Sequence, residues 1–599
     1  MPAQPRPAVA PDPQISQRPR TTLDATLQAG PGHRYRLLTW GPGEPHLLRE
    51  DLGARARPER SGQRRSLLYF AHHTDAHLCD AQSPGRLEAG ERLAWLNPGT
   101  DAGHRPQELC TAQVFDQMVR ATNAVAVSAD TGASMAFCVQ TGDNTDSRQW
   151  CELRWFVDTL DGRPVTPNTG DPTRYEGVQT DLALPWAFHP EDPSADPYGR
   201  YGFPRLRGFL DAAIAPFETA GIAVPWLCVL GNHDSLWQGT FGSLPPMRFD
   251  RVEAVLTASG RKPTSIRSVA WVTAAASIGS GRVAQRWSRP TTSQPSQPSS
   301  PGDAGFARLR TRLTASRRVT ADAQRRRRLD LRGYLAELLR TTVTPGPVGH
   351  GFTDHNLATG TGYWSRPHDE RTALIGLDTN NHTTGSEGRL GPAQFRWLER
   401  ELVAHHHCYF DERGTEVTNP SGRDRLCIVF SHHNSWTMTN RVEDDADPGP
   451  AHDGHDVTRL LARFPNVVLW VNGHSHENRI LAHAGLGGVG QGFWELNTAS
   501  CIDFGQQSRT VELLDNGDGT LSVLTTVLDH AAPPAVPVPR QGRWTAEDLA
   551  SMSRELAAND ARWIDPFSQR GGVQDRNAEL LVRAPRAAAS CRVDDIQAL

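Results

Sequence analysis

Five short clusters of oxygen and nitrogen donors stand out along the chain: Asp75-Ala76-His77, Gly142-Asp143-Asn144, Gly231-Asn232-His233-Asp234, His432-His433-Asn434 and Gly473-His474-Ser475-His476. Carboxylates, imidazoles and one amide oxygen suit manganese, iron or zinc, and the absence of thiolates disfavours a closed structural zinc site. Seven such donors are too many for one ion and fit two ions sharing a carboxylate. On an extended backbone the two donors of D-x-H or H-x-H point to one side, because side chains alternate with a period of two. A single D-x-H is weak evidence, and a second copy, Asp453-Gly454-His455, reads as a decoy in a loop. Five clusters in order carry more weight, since each follows an apolar run.

Those runs are the elements that must position the donors. Ser66 to His73, Met135 to Thr141, Val224 to Leu230, Thr372 to Asp378, Leu426 to Ser431 and Val467 to Asn472 are short, rich in β-branched and aromatic residues, and predict buried strands. Helical patterns lie between them, at Trp150, Leu153, Phe156, Val157 and Leu160, and at Phe395, Leu398 and Leu402. Alternation of strand and helix predicts an α/β sandwich, and in open α/β sheets ligands bind at the carboxyl ends of the strands. Past residue 490 strands alone follow, at Phe493 to Asn497, Thr510 to Leu514 and Leu521 to Leu528, so a second, partly antiparallel sheet is expected to close the core.

The five clusters together resemble the pattern of the calcineurin-like metallophosphoesterase superfamily, and more narrowly its long actinobacterial members. The resemblance covers about 65–145, 224–234 and 370–530. It implies a four-layer α/β/β/α sandwich with two mixed sheets and large insertions. One metal would be held by Asp75, His77, Asp143 and His476; the other by Asp143, Asn232, His432 and His474, with Asp143 bridging. His233 would be the unligated histidine near the leaving group, so His233 and Asp143 are the expected catalytic residues. The implied activity is hydrolysis of a phosphate ester, a diester slightly before a monoester, by a metal-bridging hydroxide. A metal-dependent nuclease and a catalytically silent binding protein are the alternatives. Two positions depart from the family pattern. Asn434 replaces a common proline, which leaves His432 and His433 both open as ligand, with register selecting His432. Asp146 stands where one branch has a tyrosine ligand, which argues against an iron tyrosinate.

Bland roles are expected elsewhere. His405, His406 and His407 read as hydrogen-bonded residues at a helix end. Asp146 and Asp234 read as supports for the ligands or for His233. His350 is expected in a structural loop at least as readily as in the cleft.

Of 599 residues 38% are hydrophobic, and 63 basic against 67 acidic residues leave a net charge of −4. No global field draws the chain to nucleic acid or anionic lipid. The expected partner is a small phosphate ester, with nucleic acid second to it and no membrane. Nine scattered cysteines without a C-x-x-C pair argue against a disulfide framework. No signal peptide is read in residues 1–20 and no 18-residue apolar run occurs, so a cytoplasmic protein is expected.

The domain reading is a disordered tail at 1–20, a catalytic domain at 21–534 with insertions at about 161–222 and 235–370, and a C-terminal helical extension at 535–599. Within the second insertion 288–303 is Pro/Ser-rich and expected to be flexible. The arginine-dense segment 308–340, with Arg325 to Arg328 in a row, reads first as a solvated helix face and second as a cap for an anionic substrate.

Overall fold

In the computed structural model the described residues are 20–62, 64–93, 103–242, 249–268, 315–341, 345–539, 542–560, 562 and 565–585. The tail and the Pro/Ser-rich stretch of the sequence reading lie outside them, except Arg20.

Two mixed sheets form the core. The first has seven strands in the order Leu47–Arg49, Ala578–Arg583, Thr520–Asp529, Gln507–Asp515, Arg65–His73, Phe137–Thr141 and Trp226–Val229. Its last three strands run parallel to one another, and Gln507–Asp515 pairs antiparallel with Arg65–His73. The second has six strands in the order Arg479–Ala484, Gly492–Asn497, Val467–Asn472, Leu426–Phe430, Thr372–Gly376 and Trp364–Pro367. The middle four are parallel, and the outer strand on each side is antiparallel to its neighbour.

The sheets pack face to face. Phe70 and Phe137 of the first stack at 5.1 Å, and Phe430 of the second meets them edge-on at 5.9 and 6.3 Å. Alternation along each strand sends the remaining side chains outward. Ala373, Ile375, Cys427, Val429 and Trp470 pack under the helices Pro392–Ala404 and Gly454–Ala462 through Leu398, Leu402, Val457 and Leu460. On the other outer face His73 and Trp226 meet Phe115 and Phe156 of the helices Thr111–Ala124 and Trp150–Asp161. This is the four-layer α/β/β/α arrangement, and its parallel strands all bring their carboxyl ends to one edge.

Two boundaries differ from the sequence reading. The edge strand Trp364–Pro367 falls inside the stretch expected to be the second insertion, yet it belongs to the six-stranded sheet. It is short and ends in proline, as edges tolerate, so no apolar run announces it. Residues past 534 are not only helical: after the helix Ala546–Ala558, Ala578–Arg583 pairs with Thr520–Asp529 inside the first sheet. Thr545 and Asp548 form the capping box that opens that helix.

The arginine row is not helical, and its members divide: Arg325, Arg327 and Arg328 are exposed, as the solvated reading expects, while Arg326 is not. Arg326 is fully buried and donates to Asp80 Oδ2 (3.2 Å), Thr169 Oγ1 (2.8 Å) and the Thr320 carbonyl oxygen (2.7 Å). Arg325 pairs with Asp322, Arg327 lies 4.4 Å over the Trp150 ring, and Arg328 stands 4.0 Å from Asp250. The carbonyls of Arg325 and Arg327 accept the first N–H groups of the helix Trp150–Asp161, at Cys151 and Trp150, both at 2.9 Å. Those amides have no partner within their own helix; the insertion supplies one.

Candidate metal centre

The donors meet at the shared edge, on a backbone unlike the one expected. Asp75, His77, Asp143, His474 and His476 all have positive φ, between 45° and 71°, and they are five of the nine such non-glycine residues among those described. Each lies beyond the last residue of its strand, so the D-x-H and H-x-H pairs converge through a left-handed backbone and not through the pleat. The conformation costs a non-glycine residue about 1–3 kcal/mol. It is held by hydrogen bonds between the loops: Asp75 N–H to the Gly142 carbonyl (3.0 Å), His77 N–H to that of Asp143 (2.8 Å), and His474 N–H to Asp75 Oδ2 (3.0 Å). The loops approach so closely that a Cβ on Gly231 would overlap the Asp143 carboxylate, and one on Gly473 would overlap Thr74.

Two groups of donors result. In the first, His476 Nε2 is 3.3 Å from Asp75 Oδ1 and 3.3 Å from His77 Nε2, which is 3.6 Å from Asp143 Oδ2. In the second, His432 Nε2 is 2.9 Å from Asn232 Oδ1, 3.2 Å from His474 Nδ1 and 3.3 Å from the same Asp143 Oδ2. Asp143 therefore faces both groups. Its other oxygen accepts the His233 N–H at 2.8 Å.

The hydrogen bonds behind the donors orient them. His432 Nδ1 donates to the Thr141 carbonyl (2.8 Å), and Asn232 Nδ2 donates to that of Gly239 (3.0 Å). Behind His476, Nδ1 donates to Asp503 Oδ2 (2.7 Å), while His77 Nδ1 faces Asp146 Oδ1 at 3.5 Å. With their outer nitrogens so engaged, these rings turn their other nitrogens inward, toward one another and toward the Asp75 and Asp143 carboxylates. Asp75 Oδ1 is buried without a hydrogen-bond partner. Converging lone pairs in a buried site are costly unless protons or cations stand between them; the donor set fits two cations.

The electrostatics agree. Burial would lower the His432 imidazole, but the Asp143 carboxylate outweighs it and raises it to about 9. Burial likewise opposes, and Asp75 overcomes, a rise of His476 to about 10. His474 falls to about 3, through burial and the neighbouring His432, and His77 to about 4, through burial and His233. Burial would push the Asp143 carboxyl up, yet His432 and His233 hold it well below the usual range.

His433 lies beside the second group, its ring 4.3 Å from that of His474, but both its nitrogens have other partners: Nδ1 meets Thr379 Oγ1 (2.8 Å) and Nε2 the Ser386 carbonyl (2.9 Å). Asn434, the departure from proline, donates to the Gly473 carbonyl (3.0 Å) and so ties the fourth cluster to the fifth. Asp146 pairs with Arg86, and Asp234 accepts from the N–H groups of Gly231 (2.9 Å) and Thr145 (3.0 Å). Asp453 caps the helix Gly454–Ala462, His406 spans Leu402 and Asn466, and His350 stacks on Trp226 at 3.2 Å, all away from the donors. The sequence reading missed Asp503, Arg105 and Arg562, which no motif marks.

No family model matches the chain, and no curated protein matches its sequence. Several solved structures are similar to it, among them the following two. One is a dimetal phosphatase from Danio rerio, at 10% identity and a TM-score of 0.29, covering 78% of this chain and 100% of that one. The other is PhoD, at 9% identity and a TM-score of 0.27, covering 87% and 79%. Among the described residues no helix is long and apolar enough to cross a membrane.

Proposed function

We propose that this chain is a dinuclear metal-dependent phosphoesterase. Asp75, His77, Asp143 and His476 would hold one ion, and Asp143, Asn232, His432 and His474 the other, with manganese, iron or zinc as candidates. The observation that carries the reading is the convergence of these donors on two positions that share Asp143, with His233 beside them. A pair of divalent cations supplies Lewis acidity toward phosphoryl oxygens and lowers the pKa of water.

The chain supplies the rest. His233 Nδ1 donates to the Asp146 carbonyl oxygen at 2.6 Å, which leaves Nε2 as the exchangeable position. Its ring lies 4.5 Å from that of His77 and is 8% exposed, so it stands at the centre with restricted access to water. Gly239 passes so close that a Cβ there would overlap the ring. In this reading the protonated ring gives its Nε2 proton to the departing oxygen of the ester, a general-acid contribution of about 10²–10⁴ in rate. Asp143, fixed through Oδ1 by the His233 amide, keeps Oδ2 between the two positions.

In a nuclease reading Arg326 plays no part, since it is buried, and the exposed Arg325, Arg327 and Arg328 already engage Asp322, Trp150 and Asp250. The test is hydrolysis of a chromogenic phosphodiester, with a monoester in parallel, after loading with Mn²⁺. Wild type should turn over, and Asp143→Ala and His233→Ala should lose most of that activity, while keeping the wild-type circular dichroism. Equal rates in all three would end the proposal.

A further inference from the structure

Behind His476 lies a buried cluster that none of the five motifs contains. Asp503 is 1% exposed and divides its two oxygens. Oδ2 accepts His476 Nδ1 at 2.7 Å, and Oδ1 accepts Arg105 Nε (3.1 Å), Gln107 Nε2 (3.2 Å) and Arg562 Nη2 (3.1 Å). Arg562 is itself held by Asp560, at 2.6 Å. The members come from distant stretches: Arg105 and Gln107 from the loop between the first two motifs, Asp503 from the turn after Gly492–Asn497, and Arg562 from beyond the helix Ala546–Ala558.

Resting on the two-metal reading, we propose that Asp503 is a positioning residue for the ion held by His476, and that Arg562 makes the C-terminal segment a working part of that position. A carboxylate on the distal nitrogen of an imidazole fixes the tautomer and the ring orientation and makes the inward nitrogen a stronger donor. Asp503 is built for this, because one oxygen is free to take His476 while the other is pinned from two directions. The contrast with His432 is direct: its distal nitrogen meets only a backbone carbonyl. A plain ion-pair role would affect folding stability alone, whereas a positioning role acts on one metal position of the two.

The experiment uses the full chain, loaded with Mn²⁺ alone, in wild type, Asp503→Asn and Arg562→Gln. Equilibrium dialysis gives the stoichiometry and affinities, and electron paramagnetic resonance distinguishes a spin-coupled pair from an isolated ion. Wild type should bind two Mn²⁺ and give the coupled multiline signal. In Asp503→Asn one ion should bind about 10- to 100-fold more weakly, so that at limiting Mn²⁺ the six-line signal of an isolated ion replaces the coupled one. Arg562→Gln should shift the same affinity in the same direction by less, and it carries the test if Asp503→Asn does not fold, as judged by melting of the metal-free forms. Two Mn²⁺ bound with wild-type affinity and an unchanged coupled signal in the folded variants would overturn the proposal. A wild-type chain that takes up no Mn²⁺, Zn²⁺ or iron would instead overturn the metal reading on which it stands.

Discussion

The two halves of the centre use the same kinds of donor but stand on different ground. Behind His77 and His476 are carboxylates, Asp146 and Asp503, each tied to arginine at Arg86, Arg105 and Arg562. Behind His432 and Asn232 are only the backbone carbonyls of Thr141 and Gly239. The carbonyl backing carries no net charge, and one of its two members, Gly239, comes from the stretch read as the second insertion. The other half draws charge from loops and from the far C-terminal segment, so the surroundings of the motifs can distinguish two positions that the motifs themselves make alike.

The largest break should come from the residue the halves share. Asp143→Ala is expected to lose both ions, seen by elemental analysis of the purified protein, and hydrolysis should fall to background. Removing His233 separates chemistry from binding: His233→Ala should keep both ions and lose about 10²–10⁴ in turnover. A variant that lost its metals as well would make His233 a ligand and erase that separation. Asn232→Ala should empty only the carbonyl-backed half, leaving about one ion per chain by the same analysis; loss of both would show the halves to be coupled.

Protons probe the same contrast in the metal-free chain. The folded values of His432, about 9, and His476, about 10, lie above the ordinary 6.5, so their pairing with Asp143 and Asp75 stabilises fully below about pH 6.5 and is lost as pH rises through 9 and 10. The melting temperature of the metal-free protein should fall across that window, and metal uptake should tighten with rising pH and release protons, measured by calorimetry in buffers of different ionisation enthalpy. The smallest effect is expected at the decoy. Asp453 accepts the Asp456 N–H at 3.0 Å as a helix cap. Asp453→Ala should cost about 1 kcal/mol of stability in urea unfolding and leave metal content unchanged.

Much of this architecture can be read from the chain alone, for a physical reason. Strands buried on both faces are written as apolar runs, and the run Val467 to Asn472 coincides with its strand. The donors follow such runs because the edge of a parallel sheet is where loops converge. What escapes is whatever does not repeat. Trp364–Pro367 is a polar edge with no pattern, and Ala578–Arg583 follows a strong helix signal that colours the reading of everything after it. Left-handed backbone at Asp75 or His476 has no signature in residue type, since glycine and asparagine are the usual occupants. Asp503 reaches His476 through tertiary packing, and the spacing between them says nothing of it. Arg325, Arg327 and Arg328 are exposed, as charge runs usually are; only the fold reveals Asp80 and Thr169 waiting for Arg326.

The strand Leu47–Arg49 pairs with Ala578–Arg583 at one margin of the seven-stranded sheet. Two stretches far apart in the sequence are therefore stitched side by side. During synthesis, which delivers Leu47–Arg49 long before Ala578–Arg583, that margin must wait open, and the earlier strand spends the interval without its mate. Long-range closure of this kind is slow, which makes that earlier strand the one most in need of shielding by chaperones.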